Sequence, residues 1–406
     1  MANEIYSKSW WGSGVCFNTV GWGLVYKPYA QCGAVPALLL ALETRATYYE
    51  NETCTIATLD EIEAIAYTAP VVPPNPLFVI SVKTDNVGTS NNDQFTIPWT
   101  GTYNVDWGDG NTDTGVTNAQ THTYATTGTY DVSVTAASGQ IAFSNGGDKL
   151  KLLDIKNWGD TAWTSMLNAF RGCENMNITA TDAPDLSGAI YLINTFWNCK
   201  VLDANIDNWD VSTIISFQNA FNGCTIFNSP LNSWNVASAT NLYGTFFNCD
   251  AFDQDLNNWN TSGVTKFLNT FSGAHSFNGD ISTWNVSSGT NYASMFYLCS
   301  AFNQDIGGWT IGTGSMATFL YNTPFDQDIS GWNVTGITNL ANFLFASGLS
   351  TTNYDALLIA WDAQGAMSYS GTVNFGSSQY TLGGAAEAAR TSLISKWGSI
   401  VDGGGV

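Results

Sequence analysis

The chain has 406 residues, 44% hydrophobic and 14% aromatic, which is long enough for two or three domains and rich enough in apolar side chains to bury a core. Thirty-three acidic residues against twelve basic ones give a net charge of −21, which excludes the basic footprint needed for nucleic acid or an anionic membrane surface. The longest apolar run, Ala34 to Leu42, is too short to span a membrane.

Residues 1–68 are rich in aromatics and glycine ("SWWGSGVCFNTVGWGLVYKPYA"), and two short helices are predicted around Pro36–Glu50 and Leu59–Tyr67. Pro36 suits a first helical turn and Thr58 caps the second helix. The opening "MANEIYSKSWW" lacks the basic-then-apolar layout of a secretion signal. Residues 69–76, "APVVPPNP", read as a stiff proline linker and a domain boundary. Residues 77–148 alternate in the β manner ("FVISVKT", "GTYDVSVTAA"), with a turn at "DWGDG". Only about 65 residues lie between the linker and the repetitive region after it, so this β domain is expected to be truncated or fused to that region.

Residues 149–350 repeat. Trp209, Trp234, Trp259, Trp284 and Trp309 are 25 apart and Trp332 follows after 23; Phe196, Phe221, Phe246, Phe271 and Phe296 keep the same phase. So do Phe227, Phe252, Phe277 and Phe302. Such phasing predicts about eight stacked coils with a shared core. Within a coil, Leu242, Phe246, Cys249 and Phe252 are spaced four, three and three, which predicts a helical turn, and "LNNWN" then predicts a turn and a brief strand. Residues 351–406 break the pattern and contain two amphipathic helical stretches, near Asn353–Gln364 and Ala385–Trp397, expected to cap the array.

Cys173, Cys199, Cys224, Cys249 and Cys299 occupy one column of the repeat, where Ala274 stands once, so they read as small, reduced, buried fillers. Cys16, Cys32 and Cys54 lie outside the repeat and leave one disulfide open. Asp255, Asp280, Asp305 and Asp328 form an acidic column, readable as a calcium ladder or as carboxylates accepting backbone N–H groups in a tight turn. We favour the turn, because one carboxylate per coil is too few oxygens for calcium. Asp106, Asp109 and Asp113 around "DWGDG" carry the same two readings, again with the turn preferred; calcium is thus the one ion considered and no other cofactor is implied. The Trp column reads as a buried stack rather than an exposed sugar platform, which moves the binding surface to the residues just after each Trp-Asn pair. His122 and His275, the two histidines, sit in no nucleophile or metal arrangement, and no acid pair or phosphate loop stands out, so no enzymatic activity is expected.

The stretches "FFNCDAFDQDLNNWNTSGVT" and "FYLCSAFNQDIGGWTI" resemble the BspA-like leucine-rich repeats of bacterial surface proteins, and the likeness extends from residue 77 to the end. "DWGDG" followed by "HTYATTGTYDVSV" resembles a PKD-type immunoglobulin-like domain. Together these imply a mixed α+β fold: a leucine-rich-repeat-type solenoid behind a small immunoglobulin-like β domain and an N-terminal anchoring segment. The family implies a non-enzymatic adhesion or interaction protein. The aromatic, glycine-rich start is similar to the docking modules of tailed-phage virion proteins. That likeness implies a protein without signal peptide on the virion surface, present as a homo-oligomer or in many copies. It would be held to other virion proteins through residues 1–68 and would meet a host surface protein or glycan through the repeats. A bacterial surface adhesin and a purely structural decoration protein are the alternatives.

Overall fold

The chain divides into two compact units, Met1–Pro74 and Asn75–Val406. The computed structural model describes residues 77–406 of the second and, in the first, the backbone of strands β1 (Val15–Thr19) and β2 (Leu24–Pro28). These two pair antiparallel, Val15 opposite Pro28 and Thr19 opposite Leu24. The helices expected at 36–50 and 59–67, the linker at 69–76, and the side chains of Cys16, Cys32 and Cys54 lie outside the described residues.

The second unit begins with β3 (Phe78–Lys83), β4 (Gln94–Ile97), β5 (Trp99–Thr100), β6 (Tyr103–Asp106), β7 (Thr112–Val116), β8 (Gln120–Thr123), β9 (Thr129–Thr135) and β10 (Ser138–Ile141). It continues with β11 (Leu152–Asn157), β12 (Ala162–Trp163) and β13 (Asn177–Ile178). The largest sheet has the order β13-β11-β3-β9-β6-β7. Alternation decides which side chains it buries: Phe78, Ile80 and Val82 on β3 and Val132 and Val134 on β9 are fully buried.

Strand β11 pairs antiparallel with β3 and parallel with β13, one repeat later, so the β region and the repeats share a sheet and a core. The immunoglobulin-like stretch bounded at 77–148 is fused to the region after it, one of the two outcomes expected of so short a domain: its sheet is completed by residues beyond 148. A buried lysine ties the loop between β3 and β4 to this junction. Lys151 Nζ donates to Ser90 O at 3.3 Å, Ser90 Oγ at 2.8 Å, Asn91 O at 2.7 Å and Gln94 O at 2.8 Å.

The mixed α+β solenoid expected for the repeats is corrected by the structure. Among the described residues the chain is mostly strand, bridge and turn, with two α-helices, both after the last repeat. The four-three-three spacing comes from consecutive tight turns. Asn219, Gly244, Asn269 and Ser294 have positive φ, and so, four residues later in each repeat, do Gly223, Asn248, Gly273 and Leu298. A helix cannot run through left-handed residues, and asparagine and glycine are the types that tolerate them best.

The backbone spends its hydrogen bonds between repeats instead. Leu242, Gly244, Phe246 and Asn248 donate to the carbonyls of Lys266, Leu268, Thr270 and Ser272 at 2.8–3.0 Å, while Thr245, Phe247 and Cys249 close turns onto Leu242, Gly244 and Phe246. Parallel bridges run Tyr191–Ser216–Asn241–Lys266–Asn291–Ser315 at the edge of this turn wall. No strand longer than a bridge forms there until β14 (Gly314–Ser315) pairs with β15 (Ile337–Asn339).

The expected terminal helices form as α1 (Thr351–Asp362), capped by Ser350, and α2 (Ala385–Trp397). They pack with β16 (Gly371–Asn374) and β17 (Gly398–Val401), which pair parallel. Tyr354, Leu357, Leu358 and Trp361 of α1 and Leu393 and Trp397 of α2 are buried against the last repeat's core.

Candidate functional site

The tryptophan and phenylalanine columns lie inside the repeats. Trp209, Trp234, Trp259, Trp284, Trp309 and Trp332 are all buried, at 0–4% exposure. From Trp234 on, each indole Nε1 donates to a carbonyl of the preceding repeat: Trp234 to Ile206, Trp259 to Leu231, Trp284 to Leu256, Trp309 to Ile281 and Trp332 to Ile306, at 2.8–3.1 Å. Phe196, Phe221, Phe246, Phe271 and Phe296 stack ring on ring at 5.5–5.7 Å.

The five cysteines of the repeat column, Cys173, Cys199, Cys224, Cys249 and Cys299, are buried and unpaired, but they are more than fillers. The thiols of Cys199, Cys224, Cys249 and Cys299 donate to the carbonyls of Phe170, Phe196, Phe221 and Phe271 at 2.8–3.2 Å. Ser347, in the same column, donates to Leu320 O at 2.7 Å. Burial pushes the thiols up, away from the thiolate that nucleophilic chemistry needs.

The Asp column sits in turns. Asp280, Asp305 and Asp328 accept the N–H groups of Ser282, Gly307 and Ser330 through Oδ1 at 2.9 Å, and Asp255 accepts that of Asp280 at 2.8 Å. At "DWGDG", Asp106 accepts from Gly108 at 2.9 Å and Asp109 from Asn111 at 3.0 Å, while Asp113 accepts from Trp107 Nε1 at 2.9 Å. Gly108 has φ +79, and a Cβ there would run into the Asp131 backbone. His122 Nε2 lies 2.8 Å from Asp109 Oδ2 and its ring stacks on Trp107 at 4.9 Å. Burial raises the Asp109 pKa, but its bonds with His122 and Asn111 outweigh that and hold it below the usual carboxylate range. Among the described residues no three His, Cys, Asp or Glu side chains gather to hold a metal. In the repeats, the His275 ring lies 2.8 Å from Asp250 Oδ1.

Two columns escaped the sequence reading. Asn228, Asp253, Asn278, Asn303 and Asp326 each accept, through the side chain, the N–H of the equivalent residue one repeat on, at 2.7–2.9 Å. The second column is on the outer surface of the turn wall, where Arg171, Trp197, Phe247, Tyr297, Tyr321 and Phe345 project one per repeat, interrupted by Asn222 and Ser272. Tyr297 and Tyr321 stack at 4.6 Å, Tyr321 and Phe345 at 4.9 Å, and the Arg171 guanidinium covers Trp197 at 4.1 Å. A signal existed, since these residues keep phase with the Phe core; the interruptions broke the pattern.

The same wall is free of acids. None of the 33 acidic residues falls in the eight segments 164–173, 190–199, 215–224, 240–249, 265–274, 290–299, 314–323 and 338–347; Arg171 and Lys266 are the charges they carry. The acids of the repeats stand on the turns after the wall, as Glu174, Asp203, Asp253, Asp280 and Asp328 do. The repeats thus present two surfaces, one acidic and hydroxyl-rich, the other aromatic and nearly uncharged.

An array of phased columns with an internally bonded backbone defines a repeat protein, and the match with known families falls on these residues. The model of the family described as "Mycoplasma protein of unknown function, DUF285" matches residues 164–274, 240–361 and 313–375, together more than half of the chain. The chain belongs to this family, which agrees with the BspA-like character of its repeats. No curated protein and no solved structure matches.

Proposed function

We propose that the protein is a non-enzymatic virion surface protein, a head or tail decoration or fibre, that displays its repeats for attachment to a host surface protein or glycan. In this reading residues 1–68 fasten it to other virion proteins and the PKD-like stretch around Trp107 serves as a spacer. The observation that carries the proposal is the self-sufficiency of the array of repeats. Core, turn and ladder side chains are committed to neighbouring repeats, so outward positions are free to vary at little cost in stability. The positions directly after each Trp-Asn or Trp-Asp pair, Val211, Val236, Thr261 and Val286, are buried, contrary to expectation; the exposed ones that differ lie two residues further on, at Thr213, Ser238, Gly263 and Ser288. The hydroxyls there donate to the preceding repeat, Thr213 to Ala189 O, Ser238 to Ser212 O and Ser288 to Ser262 O, and so stand as acceptors beside carboxylates such as Asp210, a surface suited to the hydroxyl donors of a neutral glycan or to a polar protein patch.

Purified particles are expected to retain the protein and to lose it on deletion of residues 1–68, and antibody against the repeats is expected to block adsorption. Incorporation of the truncated protein at the normal level would refute the anchoring role, and undisturbed adsorption would refute attachment. The second reading is a bacterial surface adhesin; the family's description names a bacterial genus, which supports the bacterial half of that reading. Fractionation of cells against particles separates the two.

A further inference from the structure

We propose that the aromatic turn wall pairs with the same wall of a second copy of this chain. Charge argues first. At −21, two copies repel along almost any approach, and the acid-free wall lets them meet without setting carboxylate against carboxylate. Composition argues next: the outward column is aromatic and arginine with no Asp or Glu, the makeup of a protein interface core.

Ring geometry argues against a sugar in the same place. Stacking on saccharides uses ring faces, and here Tyr297, Tyr321 and Phe345 cover one another while Arg171 covers Trp197. What remains outward is a comb of ring edges and hydroxyls, which suits interdigitation with another comb of the same pitch. A two-fold axis across the wall sets the Arg171–Trp197 end of one copy against the Tyr321–Phe345 end of the other, cation beside ring. Eight rows at a strand spacing of about 4.8 Å, roughly 15 Å wide, give about 600 Å² per copy. The pair then buries about 1,200 Å², above the roughly 1,000 Å² a specific interface needs.

The test is the mass of the full chain in solution, by light scattering or sedimentation, between about 1 and 100 µM. The chain is expected to move from monomer to dimer over that range. The dimer should strengthen as salt rises from about 0.02 to 0.5 M, because screening relieves the acidic repulsion and the interface holds few charges. Phe247→Asn with Tyr297→Ser introduces residues this column already carries at Asn222 and Ser272. It is expected to weaken dimerisation at least about tenfold while the chain stays folded, with a thermal midpoint lower by no more than a few degrees. Phe345→Ser, at the exposed end of the column (40% exposure), gives the same reading where folding is not at stake. A wild-type chain monomeric throughout, a dimer that dissociates as salt rises, or variants that dimerise like wild type would each overturn the proposal. Monomers whose wall variants lose host adsorption would overturn it too, giving the wall to the host partner. Failure of the attachment experiments with dimerisation intact would leave the pairing standing alone.

Discussion

Each repeat has a turn wall and a carboxylate side, and the two solve the same backbone problem differently. On the wall, left-handed residues such as Asn219 and Asn248 free alternate amides to bond the next repeat, and no acid appears. On the other side, Asp and Asn side chains take up the amides: Asp280 bonds Ser282 within its repeat and Asp253 bonds Asn278 in the next. The wall therefore needs no carboxylates for its own integrity: neutral side chains make its remaining bonds, as when Asn241 accepts the Tyr243 N–H and Thr245 donates to Phe217 O, and its outward column is free to carry aromatics, whereas the opposite side carries carboxylates because its turns use them.

Phe246 and Phe247 put this contrast at adjacent positions. Phe246 is fully buried and stacks on Phe221, Phe271 and Phe252, whereas Phe247 lies partly exposed on the wall. Phe246→Ala is expected to cost about 3–5 kcal/mol and Phe247→Ala under about 1 kcal/mol, measured by denaturant unfolding. Equal losses would break the distinction between the two sides.

Trp259→Phe keeps an aromatic ring but leaves the Leu231 carbonyl without its indole donor. That carbonyl still accepts the Trp234 N–H, so a loss of about 0.5–1.5 kcal/mol is expected, and a silent substitution would reduce the Trp column to packing alone. Leu298 stands at φ 61 in a column otherwise filled largely by asparagine and glycine, so Leu298→Asn is expected to raise stability by about 1 kcal/mol. A thermal midpoint that falls would show that the Leu298 side chain contributes more than its backbone strain costs. Cys249→Ser keeps a donor for Phe221 O and is expected to change stability by less than about 1 kcal/mol, with no gain or loss of thiol reactivity in the folded chain.

Acid sharpens the comparison from the carboxylate side. Hydrogen bonds from Ser187, Ser212 and Ser282 hold Asp185, Asp210 and Asp280 below the usual carboxylate range. A folded pKa below the unfolded one adds stability that is complete above the unfolded value near 4 and disappears as pH falls through the folded one. Thermal midpoints are therefore expected to stay level from neutral pH to about 4 and then decline. A decline that begins well above that range would point to other groups.

Much of the core was legible in the sequence because columns of identical residues report packing directly. The Trp and Phe columns could hardly face solvent in such strict phase, and the helices at the end announce themselves by pattern. The turn wall was not legible, because Leu242, Phe246, Cys249 and Phe252 fit a helix by spacing alone. Only the φ of Gly244 and Asn248 distinguishes a chain of turns from a helix, and asparagine signals positive φ weakly. The sharing of a sheet between β3 and β11 was hidden for another reason: it joins residues some 70 positions apart with no motif to mark the pairing. The wall's aromatic column was obscured by Asn222 and Ser272.

Amide exchange at Gly244, Phe246 and Asn248 tests the turn wall most directly, since these N–H groups reach carbonyls of the next repeat. We predict that they exchange slowly and together with the amides of β3 and β9, through unfolding of the whole unit. Rapid exchange at these three positions, with the core strands still protected, would contradict the wall on which the two-sided repeat rests.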